Sequence, residues 1–334
     1  MAKTDNLGDF LKDVADSIRT KTQTTELINA QDFSDKILSI QTGGGENTLK
    51  KLLDTTKSTR YFFDHYNGVG DALNGLIQYN DTENVTDMYY MFNYCQALDT
   101  IPLFDTSKVT NMGGMFRGVT NIRTIPQFDT SNVIDMREMF SYCYYLTTVP
   151  QLNTSNVTNM SYMFYYCQYS LTTVPLLDTS KVTSMSNMFK NCTKLTTIPQ
   201  FNTSNVTSMY YMLSGCGALA TIPQLNTSNV TNMDGMFFSC KNLTTVPALD
   251  ANKVTSMMDI FTYDSNLKSI LMTNIGANLN ISSSTKFERE DLLIILNNLK
   301  TITSSKKLTM GATNLAKLTD EDKLIATNKG WTLA

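Results

Sequence analysis

The sequence predicts an α/β repeat solenoid: a right-handed stack of coils about 24 residues long, with short parallel strands, short helical turns and a small N-terminal helical segment. Three observations predict it. A Val in the phrase Asn/Lys-Val-Thr recurs at Val85, Val109, Val133 (where Ile134 replaces the Thr), Val157, Val182, Val206, Val230 and Val254, 24 residues apart except for one step of 25. Met follows three residues after every Val, and again six after it in seven of the eight coils. All six Cys fall ten residues after a Val, and all seven Pro fall in the phrase that follows. Self-similarity at such a period is the signature of a stacked array, in which no coil buries its apolar face alone.

Each part of a coil has a physical reading. The phrase Leu-x-x-Ile-Pro-x-Phe is short and β-branched and predicts a strand parallel to its copies, with the Pro marking its end because it has no N–H to give a ladder. Asn/Asp-Thr-Ser-Asn/Lys supplies a turn through short side chains that bond nearby backbone. Met-x-x-Met-Phe-x-x-Cys has apolar groups three and four apart, which predicts one or two helical turns on the outer side. Stacked at the inter-strand spacing, eight coils make a body on the order of 40 Å long.

The repeated phrase Phe/Leu-Asp/Asn-Thr-Ser-Asn/Lys-Val-Thr-x-Met-x-x-Met-Phe-x-x-Cys resembles the BspA-type leucine-rich repeats of bacterial surface and phage proteins, over residues 81–274. The resemblance implies a leucine-rich-repeat-like coil stack. For function it implies only that the array binds or builds, because one fold hosts many roles.

The ends differ from the coils. Leu7, Phe10, Leu11, Val14 and Ile18 form an amphipathic stripe, and Phe33, Ile37 and Ile40 line a second short helix. Residues 1–42 therefore read as a helical docking anchor, and 43–46 as a Gly linker. The stretch Ala15-Asp16-Ser17-Ile18-Arg19 to Lys21-Thr22, with Ile28 to Phe33, resembles segments that open phage tail and other virion-associated proteins. Residues 47–80 read as an N-terminal cap. Residues 275–334 read as a C-terminal cap with two helices: one begun by a capping box at Thr285 and Glu288, the other spanning about Asp320 to Asn328, with Gly330 as its stop and Trp331 packing back. Between them, Leu308 to Met310 reads as a last strand. This ending also resembles the tails of repeat proteins from gut bacteria and their phages.

Several function classes lose ground on composition. The net charge is −3, with no basic stripe for nucleic acid and no polybasic segment for anionic lipid. There is one His, His65, so acid–base chemistry and metal sites built on imidazole have little to work with. No nucleophile–base pair, phosphate-cradling loop or paired carboxylate stands out, and no cofactor or metal is expected. At their framework position the Cys read as small buried hydrophobes in reduced form, a disulfide or metal ladder being the alternative. The turn Asp/Asn residues read as turn caps and not as calcium ligands. No signal peptide or apolar run long enough for a membrane span is visible, which excludes membrane insertion and makes N-glycosylation at the Asn-Val-Thr phrases unexpected.

The variable positions remain. Twelve of the 16 Tyr lie off the framework: Tyr89, Tyr90, Tyr94, Tyr142, Tyr144, Tyr145, Tyr162, Tyr165, Tyr166, Tyr169, Tyr210 and Tyr211. They read either as a binding surface, since Tyr gives large amphipathic contact area at low entropic cost, or as a shield for each coil. Gln127, Gln151, Gln200 and Gln224, with neighbouring Thr pairs, read as a polar face for saccharide or protein, or as a solvated sheet. These features lead to a non-enzymatic virion protein, tail- or capsid-associated. Its N-terminal helices would bind other virion proteins, its solenoid a host-surface protein or glycan, and it would be oligomeric within the assembly. The alternative is a bacterial cell-surface adhesin or interaction protein of the same repeat family.

Overall fold

A computed structural model describes residues 82–101 and 103–334. The expected anchor, linker and N-terminal cap, with Leu7, Phe10, Leu11, Val14, Ile18, Phe33, Ile37, Ile40 and His65, lie outside the described residues.

The repeat produces a regular parallel stack. The residue two after each framework Val pairs with its counterpart one coil on, from Asp87 with Asn111 to Asn232 with Ser256, without a gap. The one 25-residue step is absorbed beside the stack, where Tyr169 bulges outward and its N–H reaches back to the Tyr144 carbonyl. Framework apolar positions fill the interior: every framework Val, Met and Cys is buried. Phe rings form a column, with centroids 5.7 Å apart for Phe92 and Phe116, 6.0 Å for Phe116 and Phe140, 5.6 Å for Phe140 and Phe164, and 5.5 Å for Phe164 and Phe189. Identical residues at one height of each coil make identical contacts, so each coil completes the core of its neighbours.

The outer segment is not helical, contrary to the helical turns that its three- and four-residue spacing predicts. Residues five and nine after each framework Val have positive φ in all eight coils, from Tyr90 (53°) and Tyr94 (54°) to Asp259 (55°) and Tyr263 (69°). A left-handed residue every fourth position ends an α-helix before it starts. The backbone runs instead as successive turns whose N–H groups alternate in destination. Met139, Ser141 and Cys143 donate within the coil, to Met136, Glu138 and Phe140. Glu138, Phe140 and Tyr142 donate to the carbonyls of Ser161, Met163 and Tyr165 in the next coil. A helix would keep all these bonds to itself; the turn ladder spends half of them on holding coils together.

The Pro-containing phrase also departs from expectation. Among the described repeats only β1 (Thr245–Val246) pairs as a strand, in parallel with β2 (Ser269–Ile270). Elsewhere the Pro removes a donor from each ladder step, and side chains supply what the backbone cannot. The Gln127 amide donates to the Gln151 carbonyl (2.7 Å), Gln151 to Leu176 (2.7 Å), Gln224 to Ala248 (2.5 Å), and Gln200 to Gln224. The turn behaves as its residues predict: Asp105, Asp129 and Asp178 accept from the backbone N–H two residues on. Buried Thr hydroxyls then cross to the next coil, as Thr106 does to the Asp129 carbonyl (2.8 Å) and Thr179 to Asn202 (2.8 Å).

Beyond the repeats the parallel stacking continues in ordinary elements. A sheet of β3 (Leu279–Asn280), β4 (Lys306–Thr309) and β5 (Trp331–Leu333), all parallel, carries helices α1 (Arg289–Asn297), α2 (Ala312–Leu315) and α3 (Asp320–Thr327). The helices number three, one more than expected. The first starts later than Thr285: Glu288 is its N-cap, and its N–H donates to Asp291 Oδ2 (3.1 Å). An acid at the third helical position satisfies the cap wherever it stands, and Asp291 does so three residues beyond the expected box. α3 is capped by Thr319, whose hydroxyl accepts from Asp322 N–H. Gly330 has φ 87°, and a Cβ there would meet the Ile302 carbonyl at 2.6 Å. Trp331 is buried and its indole N–H donates to the Lys300 carbonyl (2.8 Å).

Candidate binding surface

The turn segments of successive coils present one side chain above another, so residues at equal distances from the framework Val form columns. The Tyr residues fall into such columns and touch across coils. Tyr142 stacks on Tyr166 at 5.4 Å and meets Tyr165 edge-on at 5.2 Å, and Tyr165 packs on Tyr162 at 5.3 Å. Tyr169 lies 5.8 Å from Tyr144 and 5.4 Å from Tyr145. Tyr89 and Tyr90 pair edge-on, as do Tyr210 and Tyr211. Tyr145, Tyr162, Tyr169 and Tyr210 are exposed, while the other eight are partly buried between neighbours. The twelve therefore form a discontinuous aromatic ridge, interrupted at the Gly-bearing coil of Gly113, Gly114 and Gly118 and again at the coil of Val182, which carries Ser186, Asn187 and Asn191 in place of Tyr.

Two kinds of residue complete the ridge and were missed by sequence reasoning. Tyr263 occupies the same column as Tyr94, Tyr142 and Tyr166, is 62% exposed, and meets Phe238 edge-on at 5.2 Å. Its register, nine after Val254, was the available signal. The cations were not legible, because they reach the rings across coils. The Arg117 guanidinium lies 4.9 Å from the Tyr94 ring and 5.5 Å from Tyr142, and its Nε pairs with Glu138 at 2.9 Å. Lys190 Nζ lies 4.2 Å from the Tyr211 ring. Burial, and then the Glu138 carboxylate, raises the Tyr90 phenol above its usual range; burial and Tyr142 do the same to Tyr165. These phenols stay neutral and keep a donor hydrogen.

The Gln residues line a separate edge. Cavities of about 580 and 530 Å³ open there, the first bordered by Gln200, Asn202, Gln224 and Asp250, the second by Gln151, Asn153, Asp178 and Gln200. Each Gln amide already gives one N–H to the next coil, so this edge offers solvent the second N–H and the side-chain oxygens. All six Cys are free and buried. In five of them the thiol donates to a carbonyl of the preceding coil, as Cys143 does to Phe116 and Cys167 to Phe140, both at 3.1 Å. Burial pushes these thiols well above their ordinary range, so they are donors and not nucleophiles. Among the described residues no group of three His, Cys, Asp or Glu side chains is placed to hold a metal ion, and no helix is long and apolar enough to cross a membrane.

No curated protein matches the chain. Among solved structures, the chain is similar to a leucine rich cell surface protein of Faecalibacterium prausnitzii A2-165, at 18% identity over 65% of this chain and 76% of that one, with a TM-score of 0.27. The family described as "Mycoplasma protein of unknown function, DUF285" matches twice, over residues 57–175 and 168–274, a stretch that contains every Val-Thr-x-Met coil of the stack. With well over half its length so matched, and the period, the buried Met and Cys columns and the coil-to-coil bonding repeating over the described part of that stretch from residue 82 on, the chain belongs to the DUF285 family.

Proposed function

We propose that this chain is a non-catalytic binding protein of the bacterial cell surface, a right-handed leucine-rich-type solenoid whose tyrosine ridge contacts protein or glycan on a partner surface. The observation that carries the reading is where the tyrosines stand. Tyr90, Tyr94, Tyr142, Tyr162, Tyr166, Tyr211 and Tyr263 all have φ between 50° and 69°. A side chain costs roughly 1–2 kcal/mol there relative to glycine. The same columns elsewhere hold Gly114, Gly118, Gly215 and Gly235, or Asn187 and Asn191, which suit the conformation, and the smaller or charged Glu138, Ser239 and Asp259. Large rings at disfavoured positions, partly open to solvent, are what a contact surface requires and a mere turn does not.

The reading takes no cofactor, metal or nucleic acid. The cell-surface placement agrees with the description of the Faecalibacterium neighbour. A virion placement draws on the resemblance of residues 15–33, which lie outside the described residues, because the repeat and the C-terminal ending resemble bacterial and phage proteins alike; the ridge serves either setting. Binding is tested by coating surfaces with mucin glycoprotein or fixed epithelial cells and comparing the chain with Tyr142→Asn/Tyr166→Asn. We expect saturable binding that falls at least ten-fold in the variant while its melting temperature is retained. Equal binding by both, or none by the parent, overturns the reading. Placement is tested by protease treatment of intact producing cells: release of peptides from residues 82–274 supports the surface, and recovery only from phage particles refutes it.

A further inference from the structure

We infer that a notch in the ridge, floored by Gly215 and Gly217 and flanked by Lys190 and Lys241, is a binding site for an acidic saccharide. It deepens the binding reading above, because Tyr211 belongs to both the ridge and the notch. The notch arises from a local deletion of side chains. Eleven residues after the framework Val, other coils carry Tyr144, Gln168, Thr193 or Lys241; the coil of Val206 carries Gly217, and a Cβ there would meet nothing within 4 Å. Two residues earlier Gly215 has φ 74°, and a Cβ would come within 2.1 Å of Asn191 Oδ1. The cavity so opened measures about 560 Å³, within the usual range for a small-ligand site.

Its walls have a consistent chemistry. Tyr211 and Phe238 stand 6.1 Å apart with rings tilted by 48°, an aromatic flank for the apolar C–H face of a sugar ring. Lys190 Nζ, partly desolvated, lies over Tyr211, and Lys241 borders the opposite side. Neither ammonium makes an ion pair among the described residues. The carboxylates nearest Tyr211 are otherwise engaged: Asp234 accepts from Ser256 Oγ and Met258 N–H, and Asp259 from Thr262 Oγ1. Two unpaired cations beside an aromatic flank select a ring that carries an anion over a neutral one. They also favour a ring over an extended acidic peptide, which would need a longer basic track than one notch offers.

Titration calorimetry of the full chain with 3′-sialyllactose, a hyaluronan tetrasaccharide and neutral lactose tests this. At least one acidic sugar should bind ten-fold or more tightly than lactose, with the difference shrinking as salt rises. Lys190→Met/Lys241→Met should abolish that preference. Gly217→Tyr, for which the structure has room, should fill the notch and weaken acidic-sugar binding at least ten-fold with an unchanged melting temperature. Equal affinity for acidic and neutral sugars, no binding of either acidic sugar, or full retention in Gly217→Tyr overturns the proposal. Tyr142→Asn/Tyr166→Asn should keep acidic-sugar binding, so failure of the notch is read separately from failure of the ridge.

Discussion

The stack of residues 82–274 and the segment after it solve the same problem, parallel stacking of coils, by different means. From residue 275 on, strands pair through backbone and helices satisfy their own N–H groups, closed by Glu288, Thr319 and Gly330. In the stack there are no helices among the described coils, and cohesion between neighbours comes from turn N–H groups crossing every interface, joined at most of them by Gln amides, Thr hydroxyls or Cys thiols. Damage in the first kind of structure stays within one element. In the second it falls on an interface, and since each coil is stabilised mainly by its neighbours, it spreads along the array.

The largest expected contrast follows from the Phe column. Phe164 is fully buried between Phe140 and Phe189, so Phe164→Ala removes contacts on both sides and should cost about 3–5 kcal/mol. Hydrogen exchange should show lost protection in the coils on both sides and little change in α3. Exchange confined to one coil would contradict nearest-neighbour cohesion.

Asp264 tests the junction of the two regions. It stands where the repeat places Cys, ten residues after Val254, and is fully buried. No donor among the described residues makes a hydrogen bond to either carboxyl oxygen. Burial raises its pKa to about 8, and the nearby Cys240 backbone offsets this only in part. The folded chain holds the proton that the unfolded chain has released above about pH 4. Folding stability from this group is therefore full below that pH and falls by up to about 1.4 kcal/mol per pH unit until near pH 8, then levels. Asp264→Cys restores the column's own residue and should flatten that slope, raising the melting temperature at pH 8 more than at pH 4. Parallel pH profiles for the two chains would refute the assignment.

How much of this was legible in the residues differs by type of interaction. Val, Met and Cys at fixed intervals announced the buried columns, because burial leaves a compositional trace at each repeat. The turn acids were legible for the same reason: Asp105 and Asp129 cap within two residues of themselves. The helical turns were misread because a turn ladder and a helix share the three- and four-residue spacing of apolar groups. The clue against a helix lay in Gly114 and Gly118, in Asn187 and Asn191, each pair four apart and suited to positive φ, and in Gly215 and Gly235 at the same repeat positions. The Gln amides and Arg117 could not be assigned from sequence, since their partners lie more than 20 residues away and a polar side chain does not declare whether it faces solvent or the next coil.

A smaller effect separates the caps from the ladder. Thr319→Ala should cost about 1 kcal/mol by removing the acceptor for Asp322 N–H, and it should fray α3 alone. Gln151→Ala should cost a similar ~0.5–1.5 kcal/mol, yet its exchange signature should appear in the two coils that it bridges. Circular dichroism for total stability and exchange for location distinguish the two.

The smallest effect bears on what the tyrosines are for. Tyr162 has φ 60° and is exposed, with its ring against Tyr165. In Tyr162→Asn, easing of the left-handed strain stabilises and loss of the ring contact destabilises, each by about 1 kcal/mol. A ring kept for contact with a partner predicts near-cancellation: a melting temperature within a degree or two of the parent, and weaker adhesion to mucin or cells. A ring kept only to shield the coil predicts the reverse, a clear loss of stability with adhesion unchanged. The two readings of the ridge thus differ in the sign of one comparison, between a melting curve and a binding curve of the same variant.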